Sequence, residues 1–320
     1  MKVLLISNQR LNAFGVGNPI MYRMLKALKN DNRIDEAEFF PFSNNLLSFY
    51  EIRNKVKNYD LVHVHFGGLY ALLIRLTLFG TKSRKYITFH GTDIHAKAIK
   101  STTDFKRKIK IKLNQWASFI CLILFEKCGF VAEEMINYIP FILKNTFTDK
   151  FFIHPLGVDY ELFKPMSKHE AAKKLGIESG KYVLFSDVSN TDIKRRDIAE
   201  NIVKELGGDY RLLIMSGVKP NMVPYYINVC DFLLLTSDEE GSPNIIRECL
   251  ALDKPIFSVD VGDVAKQLKG LTNSCIISRE PKKAAQVIRT HLEIPYVDNT
   301  RVLCSFLDFQ KITSKVVDLY

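Results

Sequence analysis

Short apolar runs that alternate with longer helical patterns are the feature that most constrains the fold of this chain. Ten runs are rich in strand-favouring residues, and they lie at 2–8, 60–66, 85–90, 127–132, 151–155, 181–186, 210–216, 231–237, 255–259 and 275–278. Strands that alternate with helices form parallel sheets, so the sequence predicts an α/β protein. Ten strands exceed one small sheet, and 320 residues fit two Rossmann-like domains with a boundary between residues 145 and 165.

The composition is typical of a globular protein and does not predict a membrane-spanning helix. The chain is 47% apolar and 25% charged, as globular proteins are, and its longest apolar run, 117–125, is too short to span a membrane as a helix. The N-terminus is typical of a first strand rather than a signal peptide, and the six cysteines form no Cys-x-x-Cys pair. We therefore expect reduced thiols and a cytoplasmic location.

The loops that follow the strands are the candidates for chemistry, because ligands of open parallel sheets bind beyond the carboxyl ends of the strands. Gly15 and Gly17 follow the first strand, and His90 closes the run 85–90. In the second half, 187–196 ends in three consecutive basic residues, and EEGSPNIIRECLALDKP follows the run 231–237.

This last stretch places two glutamates on either side of a predicted helix start. Ser242 and Pro243 form a cap and first-turn pair, so a helix is expected to begin near residue 243. Glu240 then precedes the helix, and Glu248 lies at the edge of its apolar stripe, where a carboxylate needs a partner. Free amides of the first turn favour a phosphate, which suits a sugar nucleotide. Spacing alone does not distinguish this site from a charge near the helix start and a solvated helix glutamate.

The stretch EEGSPNIIRECLALDKPIFSVDVGD resembles the Glu-x7-Glu motif of retaining glycosyltransferases of family 4, which have the GT-B fold. Other pieces follow in the family's order: HVHFGG (63–68), TFHGTD (88–93), IHPLGVDYELFKP (153–165) and FLDFQKITSKVVDLY (306–320). The resemblance implies two Rossmann-like domains that face a central cleft. We expect an acceptor domain over 1–150, a nucleotide-sugar donor domain over 151–304, and a C-terminal helix, 305–320, that packs back on the first domain.

The resemblance also implies roles for single residues. Glu240 would contact the transferred sugar and stabilise charge near its anomeric carbon, and Glu248 would bind the nucleotide ribose. His90 would lie near the sugar and the acceptor, although a core histidine at a strand end is the simpler alternative. The other candidates, whose backbone would approach the donor or the acceptor, are Gly15, Gly17, Ser242, Pro243, Asn244 and Ile245.

Donor-phosphate binding is where the chain departs from the family. Ser186 and Asp187 stand where the family usually has an arginine. Lys194 matches the family's later lysine, and Arg195 or Arg196 is the candidate replacement for the arginine. Such cations would stabilise the negative charge that develops on a leaving diphosphate. The alternative is a solvated run of charges.

The implied reaction transfers a sugar, with retention, from a nucleoside diphosphate sugar (UDP-sugar favoured) to a lipid-linked saccharide acceptor in bacterial surface polysaccharide synthesis. We expect no cofactor, no metal and no nucleic-acid partner; His63 and His65 share one strand face without a nearby third ligand. A sugar-nucleotide epimerase of the same fold and a catalytically degenerate partner subunit are the alternatives.

A basic window distinguishes the first half. Ten Lys or Arg against two Asp over residues 82–112 give about +8 of the net charge of +10. Within it a helix over 104–125 carries Ile109, Leu113, Trp116 and Ile120 at helical spacing. This pattern predicts either a peripheral helix on the anionic inner face of the cytoplasmic membrane or a buried amphipathic helix with a solvated basic face. A nucleic-acid module, which would rest on charge alone, is the least favoured alternative.

Overall fold

Two parallel sheets organise the chain. The computed structural model describes residues 1–8, 19–43, 45–91, 93–95, 104–187 and 192–320. Its strands are β1 (Lys2–Ser7), β2 (Glu36–Pro41), β3 (Leu61–His65), β4 (Arg84–Phe89), β5 (Lys127–Phe130), β6 (Phe151–Ile153), β7 (Lys181–Ser186), β8 (Tyr210–Met215), β9 (Phe232–Leu235), β10 (Ile256–Ser258) and β11 (Cys275–Ile276). The sheet orders are β2-β1-β3-β4-β5-β6 and β11-β10-β9-β7-β8, with every pairing parallel.

Helices alternate with these strands, as the sequence predicts. The α-helices of the described residues are α1 (Pro19–Lys29), α2 (Leu46–Lys55), α3 (Leu69–Thr77), α4 (Phe105–Leu124), α5 (Phe141–Phe147), α6 (Lys168–Leu175), α7 (Arg196–Leu206), α8 (Val223–Val229), α9 (Asn244–Leu250), α10 (Val264–Leu268), α11 (Pro281–Glu293), α12 (Thr300–Leu303) and α13 (Phe309–Val317). The chain divides into two compact units: Met1–Leu156 with Phe309–Tyr320, and Gly157–Asp308.

The first unit buries both faces of its sheet. Successive side chains of a strand point to opposite faces. Leu4 and Ile6 of β1 accordingly join a core with α2, α3 and α4, whereas Val3 and Leu5 join a core with α1 and α13. Helix α13 therefore packs in the same unit as the first sheet, but it begins at Phe309 rather than at residue 305, and residues 305–308 belong to the second unit.

The second unit repeats this arrangement. On one face, Leu184 of β7 and Leu233 of β9 pack with α6, α8 and α9. On the other, Phe185 and Phe232 pack with α7 and α11. Because both faces of both sheets are covered, the edges where the strands end are left to carry the polar loops.

Two strands differ from the sequence-based expectation. We missed β2, an edge strand with Glu36 and Glu38, because charged residues that suit an exposed edge hide the apolar pattern. We also assigned the run 151–155 to the second domain. It pairs with β5 in the first sheet, so the first unit extends to Leu156 rather than to residue 150.

Candidate functional site

Two loops are tied together at the carboxyl edge of the second sheet. The Thr236 hydroxyl, which follows β9, donates to the carbonyl oxygens of Lys194 and Arg195 at 3.0 and 2.9 Å. The amide of Asp238 donates to the carbonyl oxygen of Ile193 at 2.8 Å. These bonds hold the loop after β7 against the loop after β9.

An ion pair occupies this edge. The ammonium group of Lys194 contacts the carboxylate of Glu240, and the Ser237 hydroxyl donates to the same Glu240 oxygen at 2.8 Å. The Lys194 and Glu240 side chains are only 20% and 14% exposed, so water screens their attraction less than at an open surface. The structure thus brings together the predicted sugar-contacting carboxylate and the predicted phosphate-binding cation.

The two arginines after Lys194 have different surroundings. Arg195 has a left-handed backbone with φ of 53° and donates to Asp197 at 2.9 and 3.0 Å and to Asp238 at 3.4 Å. Arg196 donates to Glu200 one turn along α7, in a pair of half-exposed side chains. Of the two, Arg195 contacts the loop after β9, whereas Arg196 forms a surface ion pair.

Asp187 directly follows β7. Its side chain is buried, and its Oδ1 has no hydrogen-bond partner among the residues that the structure describes. Lys194 is the first cation in the sequence after β7. The positive charge of this loop therefore begins at Lys194.

Arg279 is a residue of this edge that sequence reasoning missed. It follows β11 by three residues and donates to the carbonyl oxygens of Thr236 and Ser237 at 2.9 and 2.8 Å. It also pairs with Asp238 at 2.9 Å. A basic residue in a loop after a predicted strand was the available signal, because all such loops of one sheet share an edge.

Helix α9 begins at Asn244, as predicted, but its cap differs from the prediction. Pro243 occupies the N-cap position, and no side chain caps the helix. The Ser242 hydroxyl donates to Asp263 at 2.6 Å and accepts from Arg247. The prediction that Ser242 caps the helix is wrong, because these two charged side chains hold its hydroxyl.

Arg247 holds the predicted donor loop, residues 242–245, through hydrogen bonds. It is buried and donates to the Ser242 carbonyl oxygen at 3.0 Å and to Asn244 Oδ1 at 2.8 Å. Burial lowers the pKa of Arg247, whereas the negative charges of Asp263 and Glu248 act in the opposite direction and raise it. Glu248 is itself only 9% exposed, at the stripe edge where it was expected, and Arg247 provides a neighbouring opposite charge.

The backbone at Gly262 lies close to that of Gly241, next to the same loop. Gly262 has φ of +59°, and a Cβ there would lie 2.2 Å from the carbonyl oxygen of Gly241. The next amide, that of Asp263, donates to this oxygen at 3.1 Å. Only glycine fits at residue 262 without displacing the loop.

In the first unit, His90 directly follows β4 and is partly exposed. The Asp93 carboxylate accepts hydrogen bonds from the amides of His90 and Gly91, and from Gly67 after β3 at 2.7 Å. The Phe66 ring stacks on the His90 ring with a centroid distance of 4.0 Å. Burial, followed by the neighbouring His154 imidazole, lowers the pKa of His90 to about 3. His90 is therefore a neutral imidazole at physiological pH.

Further buried histidines lie next to His90 in the first unit. His63 and His65 stack with a centroid distance of 4.5 Å, on one strand face as predicted. His63 also contacts the Tyr320 hydroxyl and, at 2.8 Å, Thr88, which lies 3.1 Å from His154 Nδ1. Among the described residues, no three His, Cys, Asp or Glu side chains come together in a way that could hold a metal ion.

The predicted glycines Gly15 and Gly17 lie outside the described residues. The backbone around Ile245, also a predicted donor contact, forms the first turn of α9, where the Ile245 side chain is buried. Within the described ranges, no helix has both the length and the apolar character to cross a membrane.

Comparisons with known proteins add to this geometry. No family model matches the chain. It is 23% identical over 234 residues to TuaC of Bacillus subtilis (strain 168), which is assigned to teichuronic acid biosynthesis as a glycosyltransferase. The alignment covers 64% of this chain and 54% of TuaC, so the chain matches about half the length of this relative.

Solved structures match over nearly the whole length. Sucrose-phosphate synthase from Thermosynechococcus elongatus is 11% identical with a TM-score of 0.74, over 100% of this chain and 98% of that one. Anabaena HepE in complex with UDP-glucose is 13% identical with a TM-score of 0.73, over 100% and 99%. WaaG, a glycosyltransferase of lipopolysaccharide biosynthesis, is 14% identical with a TM-score of 0.65, over 99% of both chains. The chain therefore has the two-domain α/β fold of GT-B glycosyltransferases.

Proposed function

We propose that this chain is a glycosyltransferase of family 4 that moves a hexosyl group from a nucleoside diphosphate sugar, with UDP favoured, to a saccharide acceptor. The observation that carries the proposal is the Lys194–Glu240 pair at the carboxyl edge of the second sheet, close in sequence to the buried Glu248. The similarity to TuaC and to HepE, which was solved with UDP-glucose, supports it.

Each charged group of this edge has a role in the proposed reaction. Glu240 contacts the transferred sugar and stabilises positive charge at its anomeric carbon, and Lys194 neutralises the diphosphate. Glu248 binds the ribose hydroxyls. The amides of 242–245 bind donor oxygens, and Arg195 and Arg279 raise the positive potential beside them.

The proposed chemistry retains the anomeric configuration. The bond between the anomeric carbon and the diphosphate oxygen breaks, and its electron pair stays on the diphosphate. The acceptor oxygen attacks the same face of the sugar, forms the new glycosidic bond, and gives its proton to the departing phosphate. Glu240 and Glu248 act at different ends of the donor, so they do not form the close carboxylate pair of retaining glycosidases. No metal takes part, so chelation with EDTA is expected to leave turnover unchanged.

Ligand-dependent thermal stability tests the donor site. A ligand that binds only the folded state, at roughly 100 times its dissociation constant, stabilises that state by about 2.7 kcal/mol. The ligands are UDP, GDP, NAD and a short DNA duplex, and the variant is Glu248→Ala. Glu205→Ala, which removes an exposed glutamate from α7, is the matched control.

The outcomes separate the candidate functions. Stabilisation by UDP or GDP in the wild type and in Glu205→Ala, but not in Glu248→Ala, supports the proposal and identifies the base. Stabilisation by NAD or DNA alone contradicts it. Nucleotide binding without sugar transfer would indicate a degenerate partner subunit, and conversion of the donor sugar without an acceptor would indicate an epimerase.

We also propose that the first unit docks on an anionic membrane, where it would meet a lipid-linked acceptor. Six large apolar side chains of α4 recur every three or four residues and are between 41% and 73% exposed: Phe105, Ile109, Leu113, Trp116, Ile120 and Ile123. The opposite side of α4, around Phe119 and Leu122, packs into the core. The alternative in which the apolar stripe is buried is therefore wrong.

The basic residues of α4 and the exposed apolar residues of α5 support a membrane as the partner. Exposed Lys106, Arg107, Lys110 and Lys112 lie on the same helix as the apolar stripe, and each basic residue near an anionic surface contributes about 1 kcal/mol. Helix α5, which contacts α4, exposes Phe141 and Ile142. Apolar side chains within a basic field suit the boundary between lipid headgroups and acyl chains.

Vesicle binding tests this surface. We expect binding to vesicles that contain phosphatidylglycerol, weaker binding at high salt, and none to neutral vesicles. Trp116→Glu is expected to abolish binding, whereas Val297→Glu, an equally exposed apolar position of the second unit, is not. Equal loss in both variants, or no binding at low salt, would refute the membrane proposal without affecting the donor site.

A further inference from the structure

An unassigned histidine lies against His90. His65 ends β3, is 1% exposed, and places its Nδ1 3.1 Å from Nε2 of His90. The two rings are tilted by 51° with centroids 5.4 Å apart, so the ring nitrogens rather than the ring faces meet. This contact is a hydrogen bond between two imidazoles.

Only one proton can lie in this hydrogen bond. Burial lowers the pKa of His65 well below its usual value and that of His90 to about 3, so both rings are neutral near pH 7. Each neutral ring has one N–H and one unprotonated nitrogen. Either His65 Nδ1–H donates to His90 Nε2, or His90 Nε2–H donates to His65 Nδ1.

The other nitrogen of His65 decides between these two arrangements. His65 Nε2 is buried and has no hydrogen-bond partner among the residues that the structure describes. If His90 were the donor, His65 would carry its proton on Nε2 and bury an N–H without an acceptor, an arrangement that is rare and costly. If His65 is the donor, only an acceptor nitrogen is left unpaired. The second arrangement is therefore favoured.

We infer that His65 is a positioning residue that fixes His90 in the tautomer with its proton on Nδ1. His90 then presents an N–H donor rather than a basic nitrogen. No described residue forms a hydrogen bond with His90 Nδ1, and the ring is partly exposed, so this donor is available to a ligand.

Neighbouring residues hold the His90 ring and backbone in place. Phe66, the residue after His65, has φ of 68°, a left-handed conformation that is rare for an aromatic residue and is found at functional sites. This conformation places the Phe66 ring on the His90 ring. The Asp93 carboxylate joins the backbone of the same loop to that of His90.

The inference deepens the proposed function and rests on it in one respect, the contact of His90 with substrate. A donor at Nδ1 binds a sugar hydroxyl or a phosphate oxygen, both of which accept hydrogen bonds. It does not take the acceptor's proton, which agrees with a reaction in which the departing phosphate does so.

Nuclear magnetic resonance of protein labelled with 15N-histidine tests the tautomer without any substrate. Two-bond proton–nitrogen correlations distinguish Nδ1–H from Nε2–H imidazoles, and the His90 signals are assigned by their loss in His90→Gln. We expect the Nδ1–H pattern for both His65 and His90 in the wild type at pH 7. An Nε2–H pattern for His90 would overturn the inference.

Substitutions of His65 test its influence on His90. His65→Asn keeps an N–H donor where Nδ1 was and is expected to keep the His90 tautomer. His65→Asp offers only acceptors and is expected to move the His90 proton to Nε2. An unchanged His90 pattern in a folded His65→Asp protein would overturn the inference. His169→Asn, at an exposed position of α6, controls for the loss of a histidine.

Turnover links the tautomer to the reaction. We expect kcat to fall by roughly 10- to 100-fold in His65→Asp, as when a positioning partner is lost, and to recover largely in His65→Asn. Equal loss in both variants would indicate a merely structural role and would overturn the inference. If the wild type transferred no sugar at all, the proposed function would fail. The measurement of the His90 tautomer would still test the inference, because it needs no substrate.

Discussion

Replacement of Arg247 by methionine is expected to destabilise the second unit. Methionine fills a similar length of buried space but cannot donate hydrogen bonds. The change leaves the Ser242 carbonyl oxygen and Asn244 Oδ1 without their donor. It also removes the positive charge that faces Asp263 and Glu248.

The magnitude follows from the burial of Arg247, which is 3% exposed. Loss of a buried hydrogen bond to a charged group costs about 1.5–3 kcal/mol, so the loss of the two bonds to Ser242 and Asn244 costs about 3–6 kcal/mol. The second unit spans residues 157–308, a size at which each kcal/mol lowers the melting temperature by about 2–4 °C. We therefore expect its unfolding transition to fall by roughly 6–24 °C.

Calorimetry of Arg247→Met and of Arg196→Met checks this expectation. Arg196 is the matched control, because its pair with Glu200 is about half exposed and such pairs contribute about 1 kcal/mol or less. Donor-dependent stabilisation should also weaken in Arg247→Met alone, since the loop 242–245 loses its support. A melting temperature within 2 °C of the control would show that the hydrogen bonds of Arg247 do not stabilise the second unit.

Three further predictions concern buried histidines and Tyr320 of the first unit and a glycine in a loop of the second. Four histidines of the first unit have pKa values lowered by burial, and so are neutral when folded: His63, His65, His90 and His154. The unfolded chain protonates them first, so stability should be intact above pH 6.5 and fall below it, with a slope approaching roughly 5 kcal/mol per pH unit near pH 5 in urea titrations; a flat profile from pH 7 to 5 would contradict this. Tyr320→Phe should cost about 1–3 kcal/mol of unfolding free energy, because His63 loses a hydrogen-bond partner, and a loss below 0.5 kcal/mol would count against that bond. Gly262→Ala should abolish UDP-dependent stabilisation by displacing Gly241, whereas Gly270→Ala, also at positive φ but in open space, should not.

The sequence predicts the elements of this fold well, because the information is local. Strands such as 181–186 and 231–237 have apolar runs that are buried in the structure, and α9 begins where Pro243 predicts it. Glu248 lies at the edge of an apolar stripe, as helical periodicity predicts, but spacing alone leaves open whether it is solvated, and its burial is a finding of the structure. The edge strand β2 is missed because an exposed edge needs no apolar pattern.

The contacts that complete the candidate site cannot be read from local patterns. Arg279 reaches the loop after β9 only because β11 and β9 belong to one sheet, at a separation of 43 residues in sequence. His65 meets His90 because β3 and β4 are neighbours. Such contacts depend on sheet order, which a single sequence leaves open. The cap assigned to Ser242 failed for the same reason, since Asp263 belongs to a separate loop.

In the proposed mechanism, Glu240 and Lys194 form the catalytic part of a sugar-donor site. Release of UDP from UDP-sugars, measured for the wild type and for Glu240→Ala, tests this role. We expect turnover to fall by about 10²–10³ in Glu240→Ala, as for other preorganised electrostatic groups, while UDP still stabilises the variant. Turnover close to that of the wild type would contradict a catalytic role for Glu240.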